Sequence, residues 1–144
     1  MCNQLTEFLE NYEILYCCQF GFRKNHSTSL ALIHVINKIS SAVIDRHEIT
    51  AGVFLDLSKA FDTLDHEILL AKLEHYGIRD VALRWIKSYF SCRQQFLQFN
   101  VACFTTQSIK CGVPQGSILG PLFFILYINE IGRASCRERV CQYV

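Results

Sequence analysis

The residues best able to do chemistry begin at Asp56. It stands at the end of a short apolar run, Ala51, Gly52, Val53, Phe54, Leu55. A run of that length without polar alternation predicts a strand buried on both faces. A buried strand that delivers one carboxylate at its end is a common way to hold a metal ion beside a reaction. The plainer reading is that Asp56 ends the strand or caps the next turn, and on this stretch alone both readings stand. A lone aromatic, Phe61, follows in the same segment, AGVFLDLSKAFDTLDH. A second stretch, Gly112 to Phe124, reads GVPQGSILGPLFF and sets Gln115 between two backbone-permissive residues, Gly112 and Gly116. Glycines there let a backbone approach a ligand closely, or serve turn chemistry alone. Arg23 and Lys24, adjacent in QFGFRKNHST, could touch phosphate, although exposed cations on a loop are common.

Together the two stretches resemble motifs A and B of reverse transcriptases. The form D-L-S-K-A-F-D followed by G-V-P-Q-G-S-x-L-G-P-L is similar to the non-LTR (LINE-type) retrotransposon branch. The segment from Gln19 to Thr28 resembles what precedes motif A in those enzymes. The resemblance runs from about Leu5 to Ile131. A group II intron or other cellular reverse transcriptase is a near neighbour, and the wording around Asp56 leans to the retrotransposon.

The resemblance implies a reaction in which a primer 3′-hydroxyl attacks the α-phosphate of a deoxynucleotide, directed by an RNA template. Two divalent ions, here expected to be Mg²⁺, sit about 4 Å apart and hold the attacking and leaving oxygens. By resemblance, Asp56 is the motif A metal ligand and the Leu57 carbonyl is a further oxygen ligand. Phe61 matches the sugar gate, a ring that excludes a ribose 2′-hydroxyl by collision; it can also be a core aromatic. Gln115, with Gly116 beside it, matches the motif B position near the incoming nucleotide and template, where an amide bonds backbone or sugar without reading sequence. The aspartate pair of motif C has no counterpart: Asp45, Asp56, Asp62, Asp65 and Asp80 include no adjacent two. The expectation is a partial fingers and palm region over residues 1–131, inactive as this chain.

Composition neither adds to nor opposes this. The 144 residues suit one domain, and 51% apolar with 19% charged argues for a buried core over disorder. A net charge of +1 is no nucleic-acid signature, so any such groove depends on local placement of Arg and Lys. Eight cysteines form no C-x-x-C, and the five histidines form no H-E-x-x-H. Both residue types read as packing or surface, with the thiols free in a reducing, intracellular compartment. Ile118 to Ile131 is the most apolar stretch, but Pro121, Asn129 and Glu130 interrupt it, so no membrane span is expected.

Helices must carry most of the chain. Leu5, Phe8, Leu9 and Tyr12 share one helical face; Leu32, Val35, Ile36, Ile39 and Val43 share another, started by Ser27 or Thr28. Asp62 stands where an N-cap belongs, with Asp65 three residues on, before Leu69, Leu73 and Tyr76; Gly77 suits the end of that helix. Asp80 can cap a further helix with Leu83, Ile86 and Phe90 inward. Leu97, Phe99, Val101 and Cys103 alternate and, with Gln107 to Cys111, predict an antiparallel hairpin turning within Asn100 to Thr106. Ser117 can cap a last helix that tolerates Pro121 in its first turn. Composition breaks at Gly132. Residues 132–144, GRASCRERVCQYV, read as an unrelated or disordered tail that resembles a translated sequencing-adapter remnant; the alternative is a real basic tail.

The fold expected is α+β, helix-rich with a short antiparallel sheet. The function expected is part of an RNA-directed DNA polymerase that takes RNA template, DNA primer and deoxynucleotides. The alternative is a non-catalytic retrotransposon remnant that at most binds nucleic acid or a partner protein.

Overall fold

The computed structural model describes residues 2–96, 98–99, 102–103, 105–114 and 116–135. The chain divides into two compact units, Met1–Ser58 with Ile128–Val144, and Lys59–Tyr127.

The first unit opens with α1 (Cys2–Asn11), whose Leu5 and Leu9 are buried as their spacing predicts. Tyr12 falls just beyond the helix and is exposed, its ring 4.8 Å from that of Phe8. Residues 12–27 are turns. Asn129 ties them down from the C-terminal part of the unit: its Oδ1 accepts from Tyr16 N–H at 2.8 Å and its Nδ2 donates to the Ile14 carbonyl at 2.8 Å. Both buried backbone groups are thereby satisfied, which explains a polar residue inside an apolar run. Next comes α2 (Thr28–Ser40), started by Ser27, whose Oγ accepts from Leu30 N–H at 3.2 Å. It widens into a π-helical turn, α3 (Ser41–Asp45).

One apolar face stays open in this unit, and one expectation fails. The apolar stripe of α2 forms a helix but is not buried: Leu32 is 60% exposed, and no residue of α2 is buried. The apolar run before Asp56 forms no strand either. Residues 46–57 are irregular, and Phe54 is 93% exposed. A strand takes its hydrogen bonds from neighbours, and among the described residues none pairs with this run.

The second unit holds α4 (His66–His75) and α5 (Asp80–Phe90), joined by a tight reversal. The cap of α4 is Asp65, not Asp62: its Oδ1 accepts from Glu67 N–H at 2.8 Å and from Ile68 N–H at 3.0 Å. Asp62 is instead consumed in a preceding turn, where its N–H and that of Thr63 both donate to the Lys59 carbonyl. At the other end Gly77, at φ +92°, closes a Schellman arrangement: Gly77 N–H meets Glu74 C=O and Ile78 N–H meets Leu73 C=O. Arg79, not Asp80, holds the cap position of α5, and no side chain caps it. Leu69, Leu73, Ile86 and Phe90 are buried and Leu83 half-buried, as the periodicity implies.

Four short strands follow: β1 (Gln94–Gln95), β2 (Gln98–Phe99), β3 (Ala102–Cys103) and β4 (Gln107–Ser108). β1 pairs antiparallel with β4, and β2 with β3. Phe99 pairs with Ala102, and residues 100 and 101 between them lie outside the described residues. The two pairs differ in register by one residue: Gln95 faces Gln107, while Gln98 faces Cys103. Leu97 and Val101, two of the alternating set, lie outside the described residues.

The last helix, α6 (Gly120–Ser135), begins as expected: Ser117 Oγ accepts from Gly120 N–H at 3.0 Å, and Pro121 sits in the first turn. Its Leu122 to Leu126 are buried, Phe123 completely. It passes Gly132 and ends at Ser135; residues 136–144 lie outside the described set. The result is helix-rich with short antiparallel strand pairs. No helix among the described residues is long and apolar enough to cross a membrane.

Candidate functional site

The two motif stretches meet inside the second unit, through backbone. The chain turns at Lys59 to Asp62, passes the fully buried Leu64, and reaches the cap Asp65. Against it lies the loop at Cys111 to Val113. Gly112 N–H donates to Leu64 C=O at 2.7 Å, Val113 N–H donates to Phe61 C=O at 2.9 Å, and Asp65 and Cys111 form an antiparallel bridge. The approach is so close that only glycine serves. A Cβ on Gly112 would stand 2.8 Å from the Asp62 carbonyl oxygen, and the φ of +83° is one that side chains resist. Gly116 differs: its φ is +79°, but a Cβ there would meet nothing within 4 Å. Its glycine answers backbone conformation, with open space beside it.

His66 locks the junction from the first turn of α4. Its Nε2 lies 2.7 Å from the Gly112 carbonyl, so that nitrogen carries the proton and donates. The ring is stacked on Phe90, centroids 4.4 Å apart. Reasoning from sequence passed over this residue as an ordinary histidine. The only available signal was its place directly after the aspartates that follow Phe61.

Phe61 is half-buried, with its ring 4.6 Å from that of the buried Phe124 of α6. The ring is therefore at least partly a packing group. Phe61 and Gly112 are brought together; Gln115 lies outside the described residues.

In the first unit, Asp56 and Leu57 are exposed on the irregular segment. Among the described residues no three His, Cys, Asp or Glu side chains gather to hold a metal ion. A divalent cation of the kind the motif implies takes six or more oxygens, so one exposed carboxylate and a carbonyl do not fit it. Arg23 is engaged locally: its Nη1 donates to the carbonyls of Tyr16 at 3.2 Å and Gln19 at 3.4 Å, holding the 16–19 turn. Lys24 is exposed.

Comparison with known proteins gives this geometry its setting. The family described as reverse transcriptase (RNA-dependent DNA polymerase) matches residues 1–144. A probable RNA-directed DNA polymerase from transposon BS of Drosophila melanogaster is 30% identical over 135 residues, 90% of this chain and 14% of that protein. The probable polymerase from transposon X-element of the same fly is 35% identical over 119 residues, 78% of this chain and 12% of that protein. The RNA-directed DNA polymerase from mobile element jockey of Drosophila funebris is 33% identical over 113 residues, again 78% of this chain and 12% of that protein. The chain thus spans about an eighth of the length of these relatives. With the motif A turn and the motif B loop joined as described, the chain belongs to the reverse transcriptase family, and its relatives are those of non-LTR retrotransposons.

Proposed function

We propose that this chain is part of an RNA-directed DNA polymerase that extends a DNA primer on an RNA template with deoxynucleotides. The observation that supports this most is the docking of the loop at Gly112 and Val113 onto the Phe61–Asp65 turn, because it builds one surface from both motifs. On that surface Phe61 bounds the space beside the incoming sugar, and its packing against Phe124 keeps the ring from swinging away. A 2′-hydroxyl is then refused by collision. Gly116, with open space around it, leaves room for a nucleotide, and Gln115 supplies an amide toward its backbone or sugar. His66 keeps the Gly112 carbonyl, and with it the loop, in register.

In this reading Asp56 and the Leu57 carbonyl supply two oxygen ligands for a metal ion. They do not fit a pair of Mg²⁺ ions by themselves, so the chain alone extends no primer. Residues 1–131 are the polymerase part in this reading, working inside the cell where thiols such as Cys17 and Cys92 stay free. A non-catalytic remnant is the second reading, favoured because no two aspartates of the sequence are adjacent.

The test is Phe61→Val in a polymerase that carries this stretch. The ratio of kcat/KM for ribonucleotide to that for deoxynucleotide should rise by about tenfold, or about 1.4 kcal/mol of differential transition-state binding. An unchanged ratio with a lowered Tm would make Phe61 a core ring only.

A further inference from the structure

The exposed side of α5 carries a feature that the polymerase motifs do not use. Trp85 and Tyr89, one helical turn apart, lie nearly parallel, with an interplanar angle of 17° and centroids 5.8 Å apart. Beyond the helix, Arg93 lays its guanidinium over the Tyr89 ring at 4.6 Å. The result is a three-layer stack of indole, phenol and guanidinium.

Its two ends are unfinished. Trp85 is 41% exposed, with Val81 one turn before it also exposed. At the other end the Nη1 of Arg93 is enclosed yet has no hydrogen-bond partner among the described residues. An enclosed charged donor without an acceptor is costly, and a stack made only for stability would not leave one. Arg84, exposed and adjacent to Trp85 on the helix, adds a second guanidinium. Neither arginine has a carboxylate at ion-pairing distance among the described residues. An open aromatic face beside unneutralised cations asks for a ligand that is both planar and anionic.

We propose that Val81, Arg84, Trp85, Tyr89 and Arg93 form a stacking site for an unpaired base of single-stranded nucleic acid, apart from the Phe61–Gly112 junction. The choice of nucleic acid over another ring-bearing anion rests on the polymerase reading above. The base lies on the exposed face of Trp85, and Arg84 answers the phosphate. The strand must be single, because a duplex keeps its base faces inside its own stack. The site reads no sequence, since every base has such a face.

Trp85 is the only tryptophan of the chain, so its emission reports this site alone. The 144-residue chain is titrated with a single-stranded oligothymidylate at low salt. Saturable quenching of Trp85 is expected, weakening as salt is raised. Arg84→Glu, an exposed change that leaves helical circular dichroism intact, should weaken the apparent affinity by about tenfold or more. The salt series gives the same information without a substitution. Absence of quenching would overturn the proposal. So would equal quenching by heparin, which has charge and no rings, or by a duplex of the same length. An emission that moves with protein concentration and ignores the oligonucleotide would make this face a protein contact instead. None of these outcomes touches the sugar-selectivity ratio of Phe61→Val, so this proposal and the polymerase reading fail separately.

Discussion

α2 and α5 are helices of similar length with similar apolar periodicity, and they meet opposite fates. α5 buries Ile86 and Phe90 against its neighbours, while α2 buries nothing and leaves Leu32, Ile36 and Ile39 exposed. The two motif stretches divide in the same way. The loop from Cys111 to Val113 is docked by two backbone hydrogen bonds and a bridge, while the apolar run before Asp56 stands exposed, with no strand partner among the described residues. A periodic pattern therefore fixes what an element is and which face is apolar. Whether that face is covered depends on other residues being present to cover it.

The largest effect that should separate the regions is a core truncation in the second unit. Phe123→Ala removes a ring with no exposure, and about 3–5 kcal/mol of stability should go with it in chemical denaturation. A loss under about 1 kcal/mol would show that the core there is no better packed than α2. Gly112→Ala should come next. Forcing a side chain into the left-handed region costs about 1–3 kcal/mol, and the Cβ contact with the Asp62 backbone adds to it, so the loop should leave its place. Amide exchange at Gly112 and Val113 checks this directly, with both amides losing protection.

A smaller effect tests the cap. Asp65→Ala should cost about 1 kcal/mol in thermal unfolding, because its Oδ1 accepts from the Glu67 and Ile68 amides of the first turn. An unchanged melting temperature would remove Asp65 as the cap. The smallest effect belongs to α2. Leu32→Ala should shift stability by no more than about 0.5 kcal/mol, as for a surface position. A drop of 2 kcal/mol or more, the scale of a buried leucine, would mean that the α2 stripe is covered in solution and would break the comparison. The exposed stripe also makes association expected: sedimentation should show species larger than the monomer as concentration rises.

The family was legible: Asp56, Phe61, Gln115 and Gly116 stand in motifs of a family whose model matches the whole chain. Of the stretches they mark, the structure joins the Phe61 backbone to the loop at Gly112 and Val113, and Gln115 lies outside the described residues. Less legible was where local signals compete. Asp62 and Asp65 are both good caps, and the helix chose the later one because residues 59–62 spend Asp62 in a turn of their own. His66 was missed because nothing local marks a histidine whose partner is a carbonyl forty-six residues away. The stack on α5 gave no motif at all, since its third layer, Arg93, lies past the end of the helix.

What the sequence alone determined was local: the positions of the helices, the Ser27 cap, the Gly77 ending and the Ser117 start of α6. Each is settled by hydrogen bonds and torsions within a few residues, and these form whatever else the chain does. Only the tertiary structure decided that Gly112 must be glycine because the Asp62 backbone lies against it, and that Asn129 is polar because the Tyr16 and Ile14 backbones need it. It also decided that the run before Asp56 is no strand. A strand's hydrogen bonds and a helix's burial are both supplied by residues far along the chain, so neither can be read from the segment that needs them.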